Sequence, residues 1–380
     1  MSRRWSVLLL VALGCEPRGS SHDAPAAASG RALPPASTPA IASPSDSTLS
    51  IASASPVVPS LPAPVLAPAA SAARSAPPAP GAPLHNPSVR ERARDLLAHL
   101  PAALPGAGSP AGPISPSRDA AWVQRMTGDD IASASFHGGG VSVTIVLRFA
   151  DGSKAMVKPA QKLVGSNHRA EIAAYHLDRL LGLGRVAPVV GRTLSLAWLR
   201  EQLAGDERAL GRLAEVTADG DRVPSALIAW HDRAPVVASP PAAWLDGMTA
   251  ANTTPTESQL AWSDMVLFDT LLDNTDRWSG GNVMTLGPGG PLIFLDNASA
   301  LLTYRARQQA FLAQPLERLC VVRPSTLAAL RAAASPPGLA ARLSASLAHD
   351  LLAPVLSPPV LAALDERLAR VLGHLDACRE

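Results

Sequence analysis

The sequence is poor in lysine, aromatic residues and cysteine, and each scarcity closes a class of function. Thirty-three basic residues face 31 acidic ones, a formal net charge of +2. That balance provides no basic face for nucleic acid or for an anionic lipid surface. Aromatic residues make up 4% of the chain, too few for a series of base-stacking platforms. Three cysteines in 380 residues exclude a disulfide-dense secreted scaffold. The apolar run near the N-terminus, Val7 to Gly14, has eight residues, where a membrane-spanning helix needs about twenty. No serine stands in a G-x-S-x-G setting, which argues against a serine hydrolase.

What is present divides the chain in two. Of 37 prolines, 21 fall in residues 1–118, so the first third is a different kind of polymer from the rest. Residues 1–15 read as a signal peptide: a basic MSRRW, the short apolar run, then Gly14 before Cys15. Gly14–Cys15 resembles the lipobox of bacterial lipoproteins, although Ala12 stands where that motif usually has Leu. The expectation is an exported protein, lipid-anchored through Cys15 to the bacterial cell envelope, outer membrane or periplasm, with that anchor its only membrane contact. A plain secretory signal and a cytoplasmic location are the alternatives. With Cys15 lipidated, Cys320 and Cys378 remain as an even pair for one disulfide in an oxidising compartment. Residues 16–116, rich in Ala, Pro and Ser, read as a disordered tether too poor in large apolar groups to offset ordering entropy. Within it RERARDLLAHL allows an isolated helical turn or two.

Residues 117–380 are the part able to bury a core. A hairpin is expected to open it: Val141, Val143, Ile145, Leu147 and Phe149 alternate with Ser142, Thr144, Val146 and Arg148, Asp151 and Gly152 turn, and Ser153 to Lys158 returns. A helix follows from about His168 to Leu181, then strands near 189–196 and 223–230. A long helix over Ser258 to Leu272 runs into the polar loop NTDRWSGGN, and a second hairpin around GPGG ends at Asp296. Beyond Arg305 the chain reads as helical. A sheet first and helices afterwards suggests an α+β, two-lobed domain.

Two places concentrate chemistry. The only lysines are Lys154, Lys158 and Lys162, all on or beside one strand, while arginine serves everywhere else. Lysine is a compact point charge suited to a phosphate oxygen, so its persistence hints that the wide guanidinium fork does not fit there. A solvated basic edge strand would leave the same trace. Glu171, at the start of the next helix, is a natural partner for Lys158. The second place, Asn274 to Asn297, holds three of the six asparagines with Asp276 and Asp296. A loop Asp that takes a hydroxyl proton, an Asn that holds a metal and a second Asp that bridges metal to phosphate are what phosphoryl transfer requires. Gly138, Gly139 and Gly140 fit a loop over phosphates or a plain turn equally. Asp269 and Asp273, one turn apart, read as hydrogen-bonding the loop they precede. His137, His168, His176 and His231 show no metal-ligand spacing.

The segments MVKPA, EIAAYHLDRLLGLGRVAPVVGR, DTLLDNTDRWSGGN, IFLDNASA and LCVVRPSTL resemble the four-jointed-like secretory-pathway kinases, which include the Golgi casein kinase and the glycosaminoglycan xylose kinase. They are spread over residues 138–330, in the family's order. The resemblance implies an atypical protein-kinase-like fold, ATP with Mg²⁺ or Mn²⁺ as cofactor, and a protein Ser/Thr or a glycan hydroxyl as acceptor. It implies that Lys158 contacts nucleotide phosphates, that Glu171 pairs with it, that Asp276 is the catalytic base and that Asp296 holds the metal. Relatives usually carry the metal-binding Asn or Glu five residues beyond the catalytic Asp, where this chain has Gly281; Asn282 comes one later. A one-residue bulge at Gly280 and Gly281 restores it, and otherwise the ligand is lost and a non-catalytic, pseudokinase-type binding lipoprotein is the reading. A further possibility is an intracellular lipid-kinase or toxin-kinase relative, which needs the export signal to be spurious. The cysteine of LCVVRPSTL is similar to one that pairs near the C-terminus in relatives, which favours Cys320 with Cys378.

Overall fold

The structure is a computed structural model, and it describes residues 87–108, 112–128, 131–231, 235–238, 248–249, 254–279, 282–302 and 306–378. The candidate signal segment with Cys15, residues 16–86 of the candidate tether, and the glycines at 280 and 281 lie outside the described residues.

The described fold begins inside the segment read as a tether. Helix α1 (Pro87–Ala98) buries Ala93 and Leu96, and Leu104, Ala107 and Ile114 continue into the core. The backbone joins as well: Leu104 N–H donates to Leu180 O at 2.9 Å and Gly112 N–H to Leu183 O at 2.8 Å. The reading of 16–116 as tether is therefore corrected for the described residues 87–108 and 112–116, which join the fold ahead of residue 117. Averaging over a proline-rich third conceals a short stretch in which Ala93, Leu96, Leu97 and Leu100 recur at helical spacing. Helix α2 (Asp119–Gly128) follows.

Five strands form one antiparallel sheet: β1 (Ile131–Phe136), β2 (Ile145–Phe149), β3 (Lys154–Pro159), β4 (Val189–Ser195) and β5 (Arg222–Ala229), in the order β1-β2-β3-β5-β4. Ile145, Leu147 and Phe149 point into the core as their alternation requires. Asp151 closes the β2–β3 turn by accepting from Ser153 N–H at 2.9 Å, and Gly152 sits at φ +83°, where a side chain would be strained. The first strand of this hairpin is shorter than the alternation predicts. Val141 is exposed, and the Gln161 side-chain oxygen Oε1 accepts from Val143 N–H at 2.8 Å, taking the place of a ladder partner. The hairpin also does not open the fold, since α1, α2 and β1 precede it; IASASF has large apolar residues only at its two ends, Ile131 and Phe136, with Ala and Ser between, so no alternation marks β1 in sequence.

Helix α3 (His168–Leu180) lies against the sheet, capped by Asn167, whose side chain accepts from Arg169 N–H at 3.0 Å. Its far end is pinned by buried charge. Arg179 reaches Asp119 of α2 through Nε at 2.6 Å, and Asp178 accepts from Arg185 N–H at 2.9 Å. His168 and His176 are buried, and burial pushes them down to about 4 and about 3, so both are neutral near pH 7. Short helices α4 (Leu196–Gln202) and α5 (Glu207–Leu213) separate β4 from β5.

The remainder is mainly helical. Helix α6 (Glu257–Leu272) starts with a capping box between Thr256 and Gln259 and is apolar on nearly every side, as a central buried helix should be. A small sheet of β6 (Pro235–Val237), β7 (Met284–Leu286) and β8 (Leu292–Ile293) flanks the site loops. Helices α7 (Ala306–Glu317), α8 (Pro324–Ala334), α9 (Leu339–Leu347) and α10 (Pro358–Ala377) complete the fold. A disulfide joins Cys320, before α8, to Cys378, at the end of α10. Among the described residues no helix is long and apolar enough to cross a membrane.

Candidate active site

The site begins at the end of β3. Val157 and Lys158 are successive residues of one strand and both are buried, so the sheet is covered on both faces where β3 ends. Lys158 Nζ lies 3.0 Å from Glu171 Oε1, on the first turn of α3, and also bonds Asp296 Oδ1. Burial opposes the ammonium charge, but the two carboxylates outweigh it and hold the Lys158 pKa above the ordinary lysine value. In return Lys158 holds Asp296 below the usual carboxylate range against the cost of its enclosure. Lys158 and Glu171 are 3% and 2% exposed, whereas the Asp296 side chain is 39% exposed. The buried pair thus presents its charge at one open carboxylate.

Asp276 starts a 3-10 turn, Asp276–Ser279, that follows α6 after a left-handed cap at Asp273. Its Oδ2 accepts from Asn282 Nδ2 at 3.0 Å and from Ser299 Oγ at 3.3 Å. Asn282 Nδ2 also donates to the Asp276 carbonyl at 3.1 Å, so the Asn stands against the loop despite its later place in the sequence. The residues that a bulge would involve, 280 and 281, lie outside the described ones. Asn274, two residues before Asp276, is fully buried with no protein partner for its carbamoyl group.

Three residues that sequence reasoning passed over hold these loops together. Arg277 is fully buried: its Nε donates to Asp269 at 2.8 and 2.9 Å, one terminal nitrogen to Leu295 O at 2.6 Å and the other to Asn297 Oδ1 at 2.5 Å. Asn297 in turn donates from its backbone N–H to Glu171 Oε1 at 3.0 Å and from Nδ2 to Glu171 Oε2 at 3.3 Å. Ser299 reaches Gly165 O at 2.8 Å as well as Asp276. A continuous polar network therefore runs from Asp269 through Arg277, Asn297 and Glu171 to Lys158 and Asp296, and each buried charge in it is paired. Asp269 does what its spacing suggested and holds the loop. The signal for Arg277 and Asn297 was their place beside Asp276 and Asp296, which spacing alone cannot separate from turn chemistry.

Gly138, Gly139 and Gly140 form the turn between β1 and β2. Arg208 anchors it, donating to Gly138 O at 3.0 Å with its guanidinium 5.9 Å above the Phe136 ring. Of the three lysines the site takes only Lys158. Lys154 lies over the Trp230 ring at 5.7 Å, and Lys162 Nζ donates to Ala214 O at 3.0 Å.

A five-stranded antiparallel sheet with a buried Lys–Glu pair to its packed helix, then an Asp loop and a second Asp after a hairpin, defines the two-lobed α+β fold of the kinase-like class. Residues 116–213 and 249–380 match the family described as Golgi casein kinase, C-terminal, Fam20, and the chain belongs to that family. Relatives include human pseudokinase FAM20A, 28% identical over 63% of this chain and 54% of that protein, and human glycosaminoglycan xylosylkinase, 29% identical over 56% and 61%. The human extracellular serine/threonine protein kinase FAM20C is 26% identical over 68% of this chain and 54% of that protein. The chain thus spans between half and two thirds of the length of these relatives. Crystal structures of the Golgi casein kinase, one with Mn/ADP bound, share the fold with TM-scores of 0.55 at 23% and 22% identity, covering 68% of this chain and 76% and 75% of theirs.

Proposed function

We propose that the domain is a phosphotransferase that moves the γ-phosphoryl group of ATP to a hydroxyl, with a protein Ser/Thr as first acceptor and a glycan hydroxyl as second. The observation that carries this reading is the convergence of Lys158, Glu171 and Asp296 in one ion cluster, with the Asp276 carboxylate held by Asn282 and Ser299 on the loop tied to it by Arg277. Asp296 and Asn282 offer oxygen donors, the hard kind that suits Mg²⁺ or Mn²⁺. When bound, the cation supplies charge neutralisation for the phosphates. Lys158 binds the phosphate oxygens and Glu171 fixes its direction. Asp276 orients the acceptor hydroxyl and takes its proton. Gly138 to Gly140, at a strand turn, cover the phosphates with backbone N–H groups. Support from relatives is twofold: FAM20C and the xylosylkinase are named as kinases of protein and of glycan, and the Golgi casein kinase structure carries Mn/ADP.

FAM20A, named a pseudokinase, and the displaced Asn282 favour the second reading, a domain of the same fold that binds without transferring. Calorimetric titration of the purified protein with ATP tests the first step that the kinase reading requires, and transfer to an acceptor then separates the two readings. Binding is expected with Mn²⁺ or Mg²⁺ and not after chelation; no binding under either condition sinks the kinase assignment.

The cellular setting we propose is export, with Cys15 lipidated and the membrane contacted through that anchor alone. Cys15→Ser is expected to abolish labelling by a fatty-acid probe and release the protein from the envelope, and undiminished labelling would overturn the anchor. The Cys320–Cys378 disulfide fits an oxidising compartment.

A further inference from the structure

We propose that Asp95, His99 and His349 form a site for one divalent transition-metal ion of the zinc class, separate from the residues of phosphate transfer and independent of the kinase reading. Asp95, on α1, and His99, the residue after its end, are four apart, and His99 N–H still donates to Asp95 O at 3.1 Å, so their side chains share a face. His349 comes from the connection between α9 and α10, more than 250 residues later. Its Nδ1 is 2.7 Å from Asp95 Oδ2, and His99 Nδ1 is 3.1 Å from Asp95 Oδ1. His349 thus hydrogen-bonds the Asp95 carboxylate, while His99 Nδ1 bonds the Asp95 main-chain oxygen at 2.8 Å beside its contact with Oδ1, and the three donor atoms all lie within 4.8 Å of one another.

A tetrahedral ion with bonds of about 2.0–2.1 Å has donors about 3.4 Å apart; the separations of 2.7 and 3.1 Å are shorter than that, so the donors must part by a few tenths of an ångström to admit the ion. The two imidazole rings stack with centroids 3.8 Å apart and planes 4° from parallel, an arrangement that brings both Nδ1 atoms to the same carboxylate. Stacked rings aim their nitrogen lone pairs in parallel, so ligation requires the stack to open by side-chain rotation. The side chains of His99 and His349 are 48% and 30% exposed, which leaves them room to turn and leaves water to complete the coordination. Two imidazoles and one carboxylate make a softer set than the oxygen donors around Asp276 and Asp296, and they favour Zn²⁺ over Mg²⁺.

The surroundings say what the ion would do. Arg92, one turn before Asp95, donates to Leu351 O at 2.7 Å and to Asp350 O at 3.3 Å, so α1 already docks on the α9–α10 connection. An ion shared by Asp95, His99 and His349 fastens the same two elements and holds the entry of the fold to its C-terminal helices. The other histidine cluster, His374 beside Cys320 and Cys378, has both sulfurs closed in the disulfide and retains a single ligand.

The test uses the full exported chain with its disulfide intact, titrated with Zn²⁺ by calorimetry and with Co²⁺ by visible absorption, without nucleotide. One equivalent of Zn²⁺ is expected to bind and raise the unfolding midpoint, with Co²⁺ giving the d–d bands of a nitrogen/oxygen site. Asp95→Asn, His99→Gln and His349→Gln should each weaken binding by about tenfold or more, and the pair H99Q/H349Q should abolish it. Asp296→Asn and His374→Gln should leave this equivalent in place. Circular dichroism and the zinc-free unfolding midpoint show whether each variant is folded. A single Zn²⁺ equivalent retained by folded H99Q/H349Q, or lost with Asp296→Asn alone, overturns the proposal, as does the absence of any Zn²⁺ binding by the wild-type chain.

Discussion

Asp276→Asn is expected to lower phosphate transfer by about 10² to 10⁴ while leaving metal-dependent ATP affinity nearly unchanged. The substitution keeps the shape of the side chain and removes its ability to take a proton. The contacts around it make this clean. Asp276 Oδ2 receives Asn282 Nδ2 and Ser299 Oγ, and the new amide can still offer one oxygen to both. Lys158, Glu171 and Asp296 make no direct bond to Asp276 among those observed, and Asn282, the other proposed cation ligand, can keep its bond to the remaining oxygen and its bond to the Asp276 main-chain oxygen, so the geometry that holds nucleotide and cation should survive. The measurement is initial rate against acceptor, with ATP affinity read separately by calorimetry. Ser299→Ala serves as the comparison: it removes one hydrogen bond from the carboxylate but leaves the base, and a loss of about tenfold is expected on the scale of one such bond. Equal transfer by wild type and Asp276→Asn would remove Asp276 from the chemistry.

The parts of this fold that a sequence shows are those set by local pattern. The period of two in Ile145, Leu147 and Phe149, the turn at Asp151–Gly152 and the apolar run of α6 each announce their element. So does Glu171 on the first turn of a helix that follows a strand lysine. Of the three lysines only Lys158 joins the ion cluster, and strand geometry explains why. Lys154 and Lys158 share a face, but four residues of strand at about 3.3 Å each set them about 13 Å apart, so only one can reach Glu171. Lys162 lies beyond the strand altogether.

What the sequence conceals is long-range pairing. Asn297 meets Glu171 across 126 residues and Arg277 meets Asn297 across 20, and nothing local distinguishes such an Asn or Arg from one in an ordinary turn. The same holds at α1, whose Arg92 and Asp95 find partners at 349–351. Composition misleads there, because the average over a proline-rich third outweighs twelve residues of helix. The consequence for function is that the visible residues are Lys158, Asp276 and Asp296, which touch ligands in the proposed reaction, and Glu171, which orients Lys158. The hidden ones fix their positions. Arg277 illustrates the difference: with Asp269, Leu295 O and Asn297 all bonded to one buried guanidinium, its loss would strand a buried carboxylate and loosen both loops at once.

Asp296 should respond to substitution in a different way from Asp276, because it is proposed to hold the cation and not to move a proton. Asp296→Asn is expected to reduce metal-dependent ATP binding by about 10²-fold, the scale of a lost charge-assisted contact of about 3 kcal/mol, and to reduce transfer with it. Asn is the appropriate replacement because Asp296 sits at φ 55°, a left-handed conformation that Asn tolerates and Ala does not. An Ala variant would mix lost ligation with backbone strain. Lys158→Arg tests the same cluster from the other side. The ammonium is 3% exposed and fits between Glu171 and Asp296, with 3.0 Å to the former. A guanidinium carries the same charge but is planar and wider, so it must displace Asp296 or leave Glu171. ATP binding and transfer should therefore both fall in Lys158→Arg although no charge has been removed, with the fold checked by its unfolding midpoint. If Asp296→Asn loses transfer but keeps full metal-dependent ATP affinity, the cation is held elsewhere. If folded Lys158→Arg is fully active, the fork does fit, and the scarcity of lysine in this chain has no bearing on the site.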